Sequence, residues 1–170
     1  MRPLAILTAF VGVLLSGAIF GFFYAWLCSA MWGLDSADPR VAIAAMQAMN
    51  GSVRNVVFAP AFFGTPAVLA LAAVFALRVN RAAGLALGLA GVVYAGAALL
   101  VTLQVNVPMN EVLAVTPVPD DIDAAREIWA GYSPRWQEFN LIRTIASGIT
   151  LALAVIGFGL LARPERRRAF

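Results

Sequence analysis

The sequence predicts an all-α integral membrane protein, a four-helix bundle with both termini in the cytoplasm and a small helical cap on the extracytoplasmic side. Three observations predict it. First, Pro3–Leu34, Asn55–Leu77, Ala82–Asn110 and Thr144–Ala162 carry no charged residue, and a hydrocarbon core ~30 Å thick needs only about 20 helical residues at ~1.5 Å each. Second, 62% of the residues are hydrophobic and 12% charged; a soluble domain carries about 25% charged residues, so there are too few here to cover a water-facing surface. Third, the charges sort by side. The N-terminus, the turn Arg78-Val79-Asn80-Arg81 and the tail from Arg163 to Arg168 hold seven Arg and one acid, whereas Asp35–Arg54 and Glu111–Arg143 hold five Arg and eight acids. The positive-inside rule puts the arginine-rich ends in the cytoplasm, and an even number of spans agrees. The chain reads as one domain over residues 1–170, with spans near 4–31, 55–77, 82–106 and 135–162. It is expected in the cell membrane as a multi-pass protein, which in a bacterium means the inner membrane.

The elements follow in order. The first span runs from Pro3 to about Met31, roughly 43 Å of helix, and must tilt or project beyond the outer leaflet. It is too long for the apolar segment of a cleaved signal peptide, about 7–15 residues. Asp35–Pro39 is a turn, with Asp38-Pro39 suited to a helix start. Val41–Asn50, rich in Ala and Met, reads as a short helix across the outer mouth of the bundle. The second span starts near Arg54, and Pro60 and Pro66 each remove a backbone donor, so its outer half is expected to kink. The third span ends in Asn106-Val107-Pro108-Met109-Asn110. Thr116–Asp121 is a loop and Ile122–Trp129 a short surface helix. Ser133-Pro134 then opens the last helix, with Ser as N-cap and Pro at the first helical position.

Absences narrow the function. There is no His, so no imidazole can hold a metal or haem or act as a base near neutral pH. A single cysteine, Cys28, forms neither an internal disulfide nor a C-x-x-C pair. No acid lies within the first three apolar stretches, which argues against a proton-coupled drug pump. No metal is expected. The basic residues cluster at helix ends and in the C-terminal tail, where orientation and anionic lipid account for them, so no nucleic-acid partner is expected.

In lipid, helices associate through small residues and polar pairs, and three stripes read as interior. Gly84, Gly88, Gly91, Ala95, Ala98, Thr102 and Asn106 recur at four- and three-residue spacing on the third span. Gly17, Gly21, Tyr24 and Cys28 do so on the first. These glycine faces are also the surfaces through which a homo-oligomer would form. On the fourth span Trp136, Asn140, Arg143, Ser147 and Thr150 share one face. An Arg at mid-bilayer costs about 2.5–3.5 kcal/mol on insertion scales, but counting back from Ala162 puts Arg143 near the outer edge of the hydrocarbon. It either snorkels to the headgroups or pairs with an acid such as Asp35 or Glu111, or it faces an anionic or carbonyl-bearing ligand. All four Trp (Trp26, Trp32, Trp129, Trp136) fall on the same outer side, as do Tyr24, Tyr132, Phe58, Phe62, Phe63 and Phe139. A membrane belt would put Trp and Tyr at both interfaces. The one-sided cluster, with Arg54, Arg143, Asn106, Asn110 and Asn140, suits either an outer belt with core packing or the wall of a pocket for a flat, partly polar molecule.

Gly21-Phe22-Phe23-Tyr24-Ala25-Trp26, the segment Val41–Asn50, Phe63-Gly64-Thr65-Pro66, Asn106-Val107-Pro108-Met109-Asn110 and Trp136-x-x-x-Asn140-x-x-Arg143 resemble the anthrone-oxygenase-like family of small four-span membrane proteins. The resemblance implies oxidation of a lipophilic aromatic by molecular oxygen, with no cofactor, at a pocket near the outer leaflet. Family members often carry His after the Asn of the last motif, where this chain has Leu141. An anthrone reacts with oxygen after losing a ring proton, so the site needs a base and donors for the developing oxyanion. The catalytic candidates are Arg143, Asn140 and Glu111, with Glu111 placed ahead of Asp35 and Glu138 as base. The substrate-binding candidates are Trp136, Asn106, Asn110, Arg54 and Tyr24. The expected partners are membrane lipid and a flat aromatic small molecule. Two other readings stand beside this one: a non-catalytic accessory or lipid-binding protein, and, more weakly, a transporter, for which no inverted repeat is visible.

Overall fold

In a computed structural model the described residues, 1–163, form five helices and no strand. They are α1 (Arg2–Asp35), α2 (Pro39–Ser52), α3 (Phe58–Leu77), α4 (Arg81–Val115) and α5 (Ile122–Ala162). All but α2 are long and apolar enough to cross a membrane. The basic tail beyond Arg163, read above as a cytoplasmic anchor, lies outside the described residues.

The four long helices form a square in which α1 packs on α3 and α5, and α4 packs on α3 and α5. Both ends of the described residues meet at one end of that square: Arg2 Nη2 donates to the carbonyls of Leu161 at 3.3 Å and Arg163 at 2.5 Å, and Asn80 Nδ2 to Leu160 O at 3.5 Å. The outside of the bundle is apolar, with Leu7, Leu14, Leu85, Val92, Ile145 and Ile156 among the exposed side chains. Its first core layer is built from small residues, Ala5, Ala9, Ala72, Ala76, Ala83, Ala90 and Ala154 around Leu69 and Leu87. A second layer joins Ile19, Phe23, Phe62, Tyr94, Ala98 and Ala146. At the far end α2 lies across the bundle, burying Ala42, Ile43 and Met46 against Met31, Leu113, Trp129, Tyr132 and Trp136. Asp38 caps α2 through the Arg40 amide at 2.9 Å.

Several elements differ from expectation. α4 runs through Pro108 to Val115. Pro108 has no N–H for residue 104 and crowds its carbonyl; a π-helical turn at Thr102–Asn106, following another at Tyr94–Leu99, opens the helix at that point. α5 starts at Ile122, not Ser133, because Asp121 caps it by accepting from the Asp123 and Ala124 amides at 2.7 and 2.9 Å. The Ser133 hydroxyl instead donates to Asp35 Oδ1 at 2.6 Å, and Pro134 sits inside the helix. Pro60 falls in the first turn of α3, where no helical hydrogen bond is lost, so only Pro66 interrupts that helix.

The stripe on α1 is also placed differently. Ala5, Ala9, Gly12, Ser16, Ile19 and Phe23 face the core, while Gly21, Tyr24 and Cys28 are exposed. A helix apolar on every side has several small-residue faces, and only its neighbours select one. The glycine face of α4 is occupied within the chain: a Cβ at Gly84 would meet Leu77 N at 2.8 Å, and one at Gly91 would meet Leu69 Cβ at 3.5 Å.

Candidate functional site

Between the second core layer and the cap lies a cavity of about 540 Å³. Every long helix except the first half of α4 contributes to it, and the loop between α2 and α3 forms its rim. Aromatic rings make the walls. Phe22 lies 4.8 Å from Phe58, Phe58 stacks on Phe62 at 5.3 Å, and Trp26 meets Trp136 at 5.2 Å, all between ring centroids. Arg143 reaches the wall from α5. Its guanidinium lies 4.6 Å from the Phe23 ring and 5.1 Å from the Trp136 ring.

Arg143 is 4% exposed, so it neither snorkels nor pairs with an acid. Nη2 donates to Asn140 Oδ1 at 2.9 Å and Nη1 to Thr102 Oγ1 at 3.3 Å, and Nε has no partner. Neither carboxylate expected to pair with it does so. Glu111 pairs with Arg54 at 3.4 Å on the exposed rim. Asp35 accepts from Trp129 Nε1 at 2.9 Å, Ser133 Oγ at 2.6 Å and Gln137 Nε2 at 2.8 Å. A buried cation held by neutral acceptors and aromatic faces keeps its positive potential for whatever occupies the cavity. Taking a charge from water costs several kcal/mol after relaxation, and cation–π contacts return about 2 kcal/mol when desolvated.

The asparagines order the site. Asn140 accepts from Arg143, so its Nδ2 is the group that donates to Phe23 O at 3.2 Å. Asn110 Oδ1 accepts from Tyr132 Oη at 2.7 Å and Trp136 Nε1 at 2.9 Å, and its Nδ2 donates to Asn50 Oδ1 at 3.0 Å. An indole nitrogen only donates, which sets the orientation of both amides. Asn106 is fully buried, with Nδ2 on Trp136 O at 3.3 Å and Oδ1 unpartnered.

Of the residues singled out from sequence, Arg143, Trp136, Asn110, Arg54 and Glu111 line the cavity. Asn140 and Asn106 stand behind it and hold Arg143 and the Trp136 backbone. Tyr24 does not belong to the site: it is 50% exposed and packs on Phe20 at 5.8 Å, one face away from Phe23. Sequence reasoning missed Asn50, whose only signal was an amide near the end of a helix rich in Ala and Met, and Phe23 as the aromatic partner of Arg143. Leu141 is 43% exposed on the outer side of α5, so a side chain at that position would not reach the cavity. Glu138 is likewise exposed. Among the three carboxylates considered as bases, Glu111 is the one in the cavity wall.

Fold and site together define a four-span helical membrane protein with an aromatic cavity at one end of the bundle and a buried, acid-free arginine in its wall. Residues 55–157 match the family model described as anthrone oxygenase. That is more than half of the chain, and the protein belongs to the anthrone oxygenase family. The match takes in α3, α4 and most of α5 and leaves α1 and α2 outside, with the motifs read in Gly21–Trp26 and Val41–Asn50. No curated protein and no solved structure matches the chain.

Proposed function

We propose that the protein oxidises a flat, lipophilic aromatic ketone of the anthrone type with molecular oxygen, in the cavity walled by Arg143. The observation that carries this reading is the Arg143 guanidinium: buried, paired with no acid, and facing an aromatic-lined space large enough for three fused rings. The reaction needs no redox group on the protein. The methylene opposite the ketone loses a proton, and its electron pair delocalises onto the carbonyl oxygen. Arg143 stabilises the resulting oxyanion. The ring carbon then bonds to oxygen, takes up a proton to give a hydroperoxide, and loses water to leave a second carbonyl. One anthrone and one O₂ thus become one anthraquinone and one H₂O.

Glu111 is the base in this scheme, since it is the carboxylate of the cavity wall. Asn140 and Thr102 aim the guanidinium, and Trp136 and Phe22 face the substrate rings. The positive-inside rule favours cytoplasmic termini for the arginine-rich ends, which in this reading puts the cavity near the outer leaflet of the cell membrane. Oxygen uptake by the purified protein with a polyketide anthrone, against an enzyme-free blank and Arg143→Ala, tests the reading. Uptake well above the blank and lost in the variant is expected. Uptake equal to the blank would sink it and favour a non-catalytic ligand-binding or accessory role.

A further inference from the structure

Two side chains of the cavity wall also belong to the apolar outside of the bundle. Phe63 on α3 is 54% exposed and Leu103 on α4 is 42% exposed, and both line the cavity. They flank the place where the two helices part. Within Arg81–Leu99, α4 packs closely on α3; from Thr102 onward its main partner is α5. The bond from Tyr94 Oη to Phe62 O, 2.8 Å, ties the helices just below the cavity. The π-helical turns Tyr94–Leu99 and Thr102–Asn106 lie at the point of separation, and such turns re-aim a helix.

Depth decides what that gap faces. Phe63 lies about 14 residues before Leu77, ~21 Å along the helix, and Leu103 about 22 residues past Arg81, ~33 Å. Against a hydrocarbon core ~30 Å thick, the gap opens from within the cap-side leaflet up to its edge. The water-facing rim is different. It carries the Arg54–Glu111 ion pair, each partner with 59% of its side chain exposed, which an apolar molecule would have to pass and desolvate.

We propose that the cavity takes up its ligand sideways from the cap-side leaflet, between Phe63 and Leu103, so that the ligand is a flat apolar molecule already dissolved in the hydrocarbon. This rests on the cavity being a ligand site and not on oxidation taking place there. A molecule following this route never leaves an apolar medium, and its carbonyl meets Arg143 only at the end.

The test uses the full chain in phosphatidylcholine vesicles with Cys28→Ser, which removes the one native cysteine. A single cysteine is placed at the bilayer flank by Leu103→Cys or at the watery rim by Val56→Cys, both positions in the cavity wall, and alkylated with a bulky maleimide. The probe is 9,10-anthraquinone, which has no methylene to oxidise, followed by stopped-flow quenching of tryptophan emission; Trp26 and Trp136 line the cavity. Alkylation at the flank should slow association about tenfold or more, within the range that variants of one interface show, and alkylation at the rim should leave it unchanged. Phe63→Cys repeats the flank arm, so that one misfolded variant does not decide the result. Slowing at the rim alone, or equally at both places, overturns lateral uptake. Absence of quenching in the unlabelled protein removes the ligand site itself and the proposal with it, whereas quenching without oxygen uptake from an anthrone removes only the oxidation.

Discussion

The hydroxyl of Tyr94 donates to the carbonyl of Phe62 at 2.8 Å, and that carbonyl is the one Pro66 leaves without its helical donor four residues on. The proline creates a buried acceptor in a spanning helix, where an unmet polar group costs several kcal/mol, and a tyrosine from the neighbouring helix fills it. The same bond sets the floor of the cavity and ties α3 to α4 just before they separate.

Tyr94→Phe should therefore destabilise the protein by about 1–3 kcal/mol, the cost of an unpaired buried acceptor. In a Pro66→Ala background the new amide serves Phe62, and the cost of Tyr94→Phe should fall toward zero. Thermal unfolding of the four proteins in one detergent gives the double-mutant cycle. Equal costs in the two backgrounds would show that the bond does not compensate for the amide Pro66 lacks.

Glu111 and Asp35 offer a contrast between two acids on the same side of the bundle. Glu111→Gln should lower anthrone turnover by about 10²-fold or more, the scale of general-base catalysis. Asp35→Asn keeps an oxygen for the Trp129 indole and Ser133 hydroxyl and should leave turnover unchanged. Steady-state oxygen uptake on both variants checks this, and loss in Asp35→Asn with none in Glu111→Gln would reassign the base.

Asp38 predicts a pH dependence that belongs to the cap. Hydrogen bonds from the Arg40 side chain and amide lower its carboxyl from the ordinary 3.8 to about 2. A depressed folded-state value means that the stabilisation is fully present above the unfolded pKa and is lost as pH falls through the folded one. Asp38→Asn should then be less stable than the parent above pH 4, with the difference shrinking between pH 3.8 and about 2. Melting curves across that range read it directly, and a difference independent of pH would contradict the assignment.

Glycine positions separate packing from chance. A Cβ at Gly84 would lie 2.8 Å from the Leu77 backbone nitrogen, while one at Gly21 meets nothing within 4 Å. Gly84→Ala should cost about 1–3 kcal/mol, as overpacking does, and Gly21→Ala should be tolerated. Melting temperatures in detergent distinguish them, and a tolerated Gly84→Ala would mean that the turn at Leu77 can yield.

The sequence alone determined the class of the molecule and the phase of two helices, α4 and α5. Uninterrupted apolar length is a property of the chain itself, so four spans were legible without any partner. The α5 stripe Trp136, Asn140, Arg143, Ser147 and Thr150 was legible because polar groups on an apolar helix have only one favourable side. Tertiary structure decided the rest. It turned Gly21, Tyr24 and Cys28 outward and Ala9, Gly12 and Ser16 inward, since a helix apolar all round has no face of its own until neighbours choose one. It carried α4 through Pro108 and α5 through Pro134, because side-chain partners such as Asp35 and π-helical turns outweigh local stop signals. And it gave Arg143 two aromatic rings and two neutral acceptors instead of an acid, a set drawn from α1, α4 and α5 that no spacing along one helix could reveal.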